Sequence, residues 1–182
     1  MITFLEHPDP SYALRTHENA KRADLTIAFA LDFNTPGEIL TRKCAYGKYV
    51  GIDIEDVILE SNFVLEKLFN ALEEYQPNCI NFAGNGIYTL KEKGIDQERI
   101  DVLIEVLILY MLKQSDMNFS IRSGGQTGVD EAALKAGDRL GLQTTCLTPK
   151  GWLFRDASGR DIRNEVLFKK RFGPDYDLSF IF

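Results

Sequence analysis

The sequence contains few of the residues that bind zinc or form disulfides. Its three cysteines, Cys44, Cys79 and Cys146, are far apart and form no Cys-x-x-Cys pair, and it has only two histidines. A structural zinc site needs about four such ligands at close spacing, so we expect no metal site. An odd and sparse set of thiols is typical of a reducing compartment, which favours a cytoplasmic location.

Long apolar segments are also lacking. The most apolar one, residues 100–114, contains two acidic residues and is shorter than the ~20 residues that span a bilayer. Near the N-terminus, Glu6, His7 and Asp9 precede any long apolar stretch, so we expect no secretory signal. The net charge of −6 and the pI of about 5.0 disfavour a broad nucleic-acid surface. We therefore expect a protein that binds neither membranes nor nucleic acids.

The sequence does contain a regular alternation of strand and helix patterns. Short apolar runs, typical of strands covered on both faces, occur at 2–6, 24–31, 48–54, 78–84, 118–124 and 143–149. Helix patterns occur at 11–23, 35–47, 61–75, 96–113 and 127–140, and a basic helix is expected near 162–172. This spacing predicts one α/β domain over residues 1–182, with a doubly wound, mostly parallel sheet and helices on both faces.

The helix predicted at 96–113 is apolar on almost all sides around residues 102–112. Such a helix either lies within the core or buries its outer face against a second subunit. Both alternatives stay open at this point, and a homo-oligomer formed through the 100–113 helix is one expectation.

A glycine-rich segment, "RSGGQTGVD" at 122–130, joins a predicted strand to a predicted helix. Gly124, Gly125 and Gly128 permit positive φ and leave room for close approach. The N–H groups of such a turn can point into one concavity at a helix N-terminus, where an anion is favoured. Thr127 could cap the helix or donate to a phosphate, and Gln126 could offer a donor and an acceptor. The spacing matches neither the dinucleotide fingerprint nor the P-loop.

Asp130 needs a separate interpretation, because a carboxylate repels phosphate. It suits the first turn of a helix, it could accept hydrogen bonds from ribose hydroxyls, or it could orient an attacking water. It is the candidate catalytic residue, and Glu131 or Glu38 could supply a second carboxylate.

Polar residues also stand at the ends of other predicted strands. Lys150 follows the strand at 143–149, "NTPGE" follows the strand at 24–31, and "NFAGNG" closes the strand at 78–84. Arg15 and Thr16 precede the strand at 24–31. Because ligands of doubly wound sheets bind beyond the carboxyl ends of the strands, we expect these residues to form one rim suited to phosphate and sugar hydroxyls.

Several of these segments resemble one known family. "SGGQTGVDEAAL" at 123–134 and "TPKG" at 148–151 resemble the N-terminal part of the molybdenum carrier family. That family belongs to the Rossmann-like SLOG superfamily, together with the cytokinin-activating phosphoribohydrolases and the DNA-processing protein DprA. "FLEHPDPSYALRTHENAKRADLTIAF" at 4–29, "NTPGEILTRKCAYGKYVGIDI" at 34–54 and "INFAGNG" at 80–86 resemble its later segments.

The order of these segments is exchanged relative to the family. Residues 1–114 resemble the family's C-terminal half, and residues 117–151 resemble its N-terminal part. This order indicates a circular permutation, which is tolerated where chain termini lie close together at the surface. The Gly-Gly-Trp-Cys that precedes Pro-Lys-Gly in the family is replaced by "TTCLT", and residues 152–182 lie outside the resemblance.

The resemblance implies a Rossmann-like fold that binds a nucleotide or a nucleotide-derived, phosphorylated small molecule. Arg15 would be the charged partner of the phosphate. The positions that match the family's ligand contacts are Gly124, Gly125, Gln126, Thr127, Gly128, Asp130, Lys150, Arg15, Thr16, Asn19, Thr35, Gly37, Asn81 and Gly84.

Three functions follow as hypotheses. The first is a sensor or carrier of a phosphorylated nucleotide-like ligand. The second is a hydrolase of the N-glycosidic bond of nucleoside monophosphates, although the Pro-Gly-Gly-x-Gly-Thr-x-x-Glu motif of those enzymes is not present. The third is a carrier of the molybdenum cofactor, whose pterin phosphate would suit the same loop. A role on single-stranded DNA is disfavoured by the net charge.

The segment 151–162 has no strong periodicity, and we expect a flap over the ligand, with Trp152 or Phe154 stacking on a base. The alternative is that Trp152 fills a gap in the core. A basic cluster around this segment is either a solvated face or a lid over an anion, and comprises Lys150, Arg155, Arg160, Arg163, Lys169, Lys170 and Arg171.

Overall fold

The computed structural model of the protein describes residues 1–59, 61–115 and 118–173. Six of its strands form one fully parallel sheet, and each coincides with an apolar run of the sequence. They are β1 (Ile2–Glu6), β2 (Leu25–Ala30), β3 (Tyr49–Asp53), β4 (Cys79–Gly84), β5 (Ser120–Ser123) and β6 (Thr144–Thr148). All six residues of β2 are buried, as expected of a strand covered on both faces.

Helices flank the sheet on both sides, so the predicted Rossmann-like α/β fold is confirmed. They are α1 (Tyr12–Lys21), α2 (Pro36–Cys44), α3 (Ile54–Leu59), α4 (Ser61–Tyr75), α5 (Ile87–Lys91), α6 (Gln97–Ser115), α7 (Val129–Arg139) and α8 (Glu165–Lys170). Helices α1 and α2 pack on each other, whereas α6 packs on both α4 and α7. The short helices α3 and α5 were not predicted.

The order of the strands is β1-β6-β5-β4-β2-β3. From β2 the chain moves outward to β3, but from β4 it moves in the opposite direction through β5 to β6. The direction of winding therefore reverses between the neighbouring strands β2 and β4. At such a switch point the connections leave the carboxyl ends toward opposite faces, which opens a crevice there.

Residues 153–163 form an antiparallel hairpin of β7 (Leu153–Arg155) and β8 (Asp161–Arg163). The adjacent Trp152 and Phe154 pack edge-on against Phe168 of α8, in a small second core. Phe154 is buried in this core and Trp152 is half-buried against it, and stacking of one of them on a ligand base stays a prediction.

The helix α6 is buried on one side only. Ile100, Ile104 and Ile108 face the main core, whereas Val106 is 56% exposed. Its outer side borders a groove shared with α4, and oligomerisation through this helix stays a prediction. Within the described ranges, none of the helices combines the length and apolarity required to cross a membrane.

Candidate functional site

A cleft of about 430 Å³ opens at the carboxyl edge of the sheet, where the winding reverses. We call it the edge cleft. Its walls come from α1, from the segments that follow β2, β4 and β5, and from the hairpin. The residues that line it are Tyr12, Ala13, Arg15, Thr16, Asn19, Pro36, Gly37, Glu38, Leu40, Thr41, Asn81, Phe82, Ala83, Gly84, Gly86, Tyr88, Thr89, Gly124, Gln126, Thr127, Asp130 and Arg155.

The structure brings most of the predicted contact residues to this cleft. They are Arg15, Thr16, Asn19, Gly37, Asn81, Gly84, Gly124, Gln126, Thr127 and Asp130. Gly84 is also a structural requirement, because a Cβ there would overlap the carbonyl oxygen of Phe29 in the neighbouring β2. The close approach of β4 to β2 at the base of the cleft therefore needs glycine.

Four predicted contacts lie elsewhere. Thr35 caps α2 by accepting a bond from the N–H of Glu38. Gly125 faces the second core, where a Cβ would meet the ring of Phe168. Gly128 has φ of 89° and is enclosed by the Asn85 backbone, which a Cβ would overlap. Lys150 is exposed and lies outside the edge cleft, because β6 ends beside β1, at a distance from the switch point.

The glycine loop, residues 124–128, does not form the predicted cup of free amides. The N–H of Gln126 donates to Asp130 Oδ2 at 3.4 Å, and the N–H of Gly128 donates to Gln97 Oε1 at 2.6 Å. The protein's own side-chain oxygens therefore occupy positions that a ligand anion was expected to take. An anion in the edge cleft would therefore need donors other than these two amides.

Two loop side chains are also engaged with the hairpin. The Gln126 amide donates to the carbonyl of Leu153 at 3.0 Å and accepts from the N–H of Arg155 at 3.1 Å. The Thr127 hydroxyl donates to the carbonyl of Arg155 at 2.7 Å. Both residues line the edge cleft, but these bonds tie β7 to the loop.

The charged centre of the edge cleft is the pair Arg15 and Asp130, whose side chains are only 9% and 7% exposed. Their one hydrogen bond joins Arg15 Nη1 to Asp130 Oδ2 at 3.4 Å, and Arg15 Nε has no hydrogen-bond partner in the described part of the chain. The guanidinium lies directly over Gly124, where a Cβ would overlap Nη1 and Cζ. Burial raises the pKa of Asp130, while Arg15 opposes that shift.

Glu38 supplies a second carboxyl group. It is 4% exposed, and its Oε2 has no hydrogen-bond partner within residues 1–59, 61–115 and 118–173. Burial, together with the nearby charges of Asp130 and Asp32, raises its pKa to about 8. At pH 7 this carboxyl is therefore mainly protonated and can donate a hydrogen bond, whereas Asp130 stays paired with a cation.

This raised pKa predicts a pH-dependent effect of Glu38→Gln on stability. Between the ordinary pKa of 4.5 and about 8, only the unfolded chain loses the proton, so the wild type loses stability as pH rises. The substituted amide cannot ionise, so the variant should gain stability relative to wild type, by at most about 1.4 kcal/mol per pH unit. Urea unfolding of both proteins from about pH 5 to about pH 9 measures this gain. A difference that does not change with pH would contradict the assignment.

Glu131 is excluded as the second carboxylate of the cleft. Its two oxygens pair with Lys135 at 2.6 Å and with Arg171 at 2.5 Å, beneath the glycine loop. Within the described ranges no group of three or more His, Cys, Asp or Glu residues could hold a metal ion.

Sequence reasoning missed several residues of the edge cleft. Tyr12, Tyr88, Thr41, Thr89 and Arg155 line it although none was predicted as a contact. The strand-end rule does not apply to them, because they belong to helices or to the hairpin. Only Arg155 had a signal, as a member of the basic cluster near a predicted flap.

We compared the chain with protein families, curated proteins and solved structures. Neither a protein-family model nor a curated protein nor a solved structure matches this chain. The resemblance to the molybdenum carrier family therefore stays a prediction from the motifs of the sequence.

Proposed function

We propose that the protein binds a phosphorylated, nucleotide-like small molecule in the edge cleft. The observation that carries this proposal is Arg15, a guanidinium buried at the floor of the cleft. It makes one weak 3.4 Å hydrogen bond, and its Nε has no hydrogen-bond partner among the residues that the structure describes. Buried N–H groups are nearly always hydrogen-bonded, and leaving one unmet costs about 1–3 kcal/mol. An anionic oxygen placed against Nε would satisfy it.

The charges of the cleft support an anionic ligand. Its lining carries two guanidinium groups, Arg15 and Arg155, and two carboxyl groups, Asp130 and Glu38. Glu38 adds no full negative charge at pH 7, because burial raises its pKa to about 8. The cleft lining is therefore net positive, although the chain as a whole is acidic.

The size and the uncharged groups of the cleft support a nucleotide. A volume of about 430 Å³ is within the range of small-molecule sites. Hydroxyl groups of Thr16, Thr41 and Thr89 suit a sugar, and the aromatic rings of Tyr12 and Tyr88 suit a base. Tyr88 is 51% exposed and can stack on a planar group without leaving the surface.

Calorimetric titration with AMP, other nucleoside monophosphates and nucleotide sugars tests the proposal. We expect AMP-type ligands to bind, and Arg15→Gln to weaken binding about 10-fold to 100-fold, because a charge-assisted bond contributes about 1.5–3 kcal/mol. Arg22→Gln is the matched control, since Arg22 is an exposed residue next to the end of the same helix. The double variant Arg15→Gln/Asp130→Asn removes both charges of the pair and controls for folding. No heat from any compound at millimolar concentration would contradict the proposal.

One observation favours a second candidate, hydrolysis of the N-glycosidic bond. Glu38 and Asp130 are two buried carboxyl groups that line the same cleft, and glycosidic hydrolysis uses such a pair as acid and base. Water would attack the anomeric carbon, and the bond to the base would break as the base takes up a proton. Chromatographic detection of free adenine from AMP tests this. Asp130→Asn should abolish the release, whereas intact AMP after prolonged incubation with wild type would exclude it.

A further inference from the structure

The hairpin β7–β8 forms one wall of the edge cleft. Its residues, 153–163, follow the segments that resemble the molybdenum carrier family and are not part of that resemblance. We propose that its Arg155 forms, with Arg15, a two-arginine clamp for the ligand's phosphate. We also propose that Gln126 and Thr127 act as positioning residues for Arg155. This inference rests on the proposed function. It assigns to Arg155 the phosphate contact that the sequence had predicted for Lys150.

The two guanidinium groups lie near the same aromatic ring. The Cζ atoms of Arg15 and of Arg155 each lie 5.9 Å from the centroid of the Tyr12 ring. Both arginines line the edge cleft, one at its buried floor and one at its exposed wall. A phosphate that enters between them can meet the unpartnered Nε of Arg15 on one side and Arg155 on the other.

Arg155 is held in a defined orientation. Its Nε donates to Asp161 Oδ1 at 2.8 Å, and the Tyr12 hydroxyl donates to the same oxygen at 3.2 Å. The bond to Asp161 is the one hydrogen bond of the Arg155 guanidinium within the described ranges, and it uses Nε alone. The two terminal nitrogen atoms lie outside this bond and can act as a fork toward phosphate oxygens.

The backbone of Arg155 is fixed from the glycine loop. Gln126 bonds its N–H, Thr127 bonds its carbonyl, and Gln126 also bonds the carbonyl of Leu153. At the far end of the hairpin, Gly159 lies against the ring of Tyr88, where a Cβ would be 3.1 Å from the ring. The hairpin thus spans the mouth of the cleft from Tyr12 to Tyr88.

The bonds that hold Arg155 are more than its ion pair with Asp161 would need, because that pair lies at the surface. Arg155 and Asp161 are 52% and 43% exposed, and exposed ion pairs contribute little to stability. Replacing Arg155 should therefore leave the unfolding temperature almost unchanged. A loss of ligand affinity in a variant of unchanged stability reports on contact with the ligand.

Calorimetric titration with AMP and with inorganic phosphate tests the clamp. We expect Arg155→Gln to weaken AMP binding about 10-fold, Arg155→Lys to weaken it less, and the salt dependence of binding to become shallower. Arg160→Gln is the matched control, because Arg160 is in the same hairpin, does not line the cleft and should leave affinity unchanged. Phosphate alone should show the same order of affinities if the clamp holds the phosphate group.

Gln126→Leu tests the positioning role. It should weaken AMP binding in wild type, but it should add little to Arg155→Gln, because it acts through Arg155. Additive losses would make Gln126 a direct ligand contact and overturn this role. If wild type binds AMP and Arg155→Gln binds it equally well, the clamp is wrong and the proposed function survives. If wild type binds none of the nucleotides, the proposed function itself fails.

Discussion

Replacing Lys135 with Met should destabilise the protein by about 3–5 kcal/mol, the cost of breaking a buried ion pair on one side only. Lys135 is 7% exposed and bridges two carboxylates, at 2.8 Å from Asp101 Oδ2 and 2.6 Å from Glu131 Oε1. Asp101 and Glu131 are themselves buried, so the methionine variant leaves two carboxylates close together without their shared cation. Urea unfolding at pH 7 measures the change in free energy.

The matched control is Lys93→Met. Lys93 pairs with Glu55 at 3.3 Å, but both side chains are more than half exposed. Water solvates both partners when such a pair is broken, so the loss should be about 0–1 kcal/mol. Equal losses in the two variants would show that the buried network contributes no more to stability than a pair at the surface.

This network also supports the glycine loop. Gln97 donates to Asp101 Oδ1, and its amide bonds both the N–H and the carbonyl of Gly128. Arg171 pairs with Glu131 and donates to the carbonyl of Gly125 at 2.7 Å. The loop is therefore held from beneath by Gln97 and Arg171, and the N–H of Gly128 is bonded within the protein without a ligand.

Replacing Gly124 with Ala should weaken AMP binding by about 10-fold to 100-fold, as much as removing Arg15 itself. A methyl group at this position would overlap the guanidinium of Arg15 and would lie 2.7 Å from Asp130 Oδ2. The Arg15 side chain must then leave its place, and the buried pair with Asp130 is broken. Calorimetric titration with AMP gives the affinity, and thermal unfolding gives the accompanying loss of stability.

The double variant Arg15→Gln/Gly124→Ala distinguishes displacement of the Arg15 side chain from a general disturbance of the glycine loop. If the methyl group acts by displacing Arg15, the double variant should bind AMP no more weakly than Arg15→Gln alone. A further loss on top of Arg15→Gln would mean that Gly124 contacts the ligand itself. AMP affinity unchanged by Gly124→Ala would contradict the assigned position of Arg15.

The fold could be predicted because its signals are local. The strand β2 is an unbroken apolar run, and Thr35 with Pro36 marks the start of α2, so each element is encoded within a few residues. The helix α3 escaped prediction because it is a single short segment between β3 and α4. The hairpin escaped because strands of three residues are too short to show a period.

The site could be predicted only in part, because the order of the strands is not encoded locally. Lys150 follows the strand next in sequence after the glycine loop, and a shared rim was expected for that reason. In space β6 is flanked by β5 and β1, and Lys150 leaves the sheet away from the switch point between β2 and β4. Arg155, a few residues later, returns to the cleft through the hairpin.

Gln126 and Asp130 show a second reason why the site could not be fully predicted from the sequence. A glutamine amide can bond a ligand or a strand, and here it bonds the backbone of β7. A carboxylate near a glycine loop can act on a ligand or satisfy the loop, and Asp130 accepts the N–H of Gln126. Whether such a side chain bonds a ligand or the protein depends on contacts between segments far apart in sequence. The periodicity of the sequence does not encode those contacts.

The most direct test of the proposed function is a crystal structure of the protein soaked with AMP at millimolar concentration. We expect AMP in the edge cleft, with a phosphate oxygen about 2.7–3.1 Å from Arg15 Nε. Phosphate bound at the exposed Lys150, or AMP found anywhere outside the cleft, would contradict the proposed function.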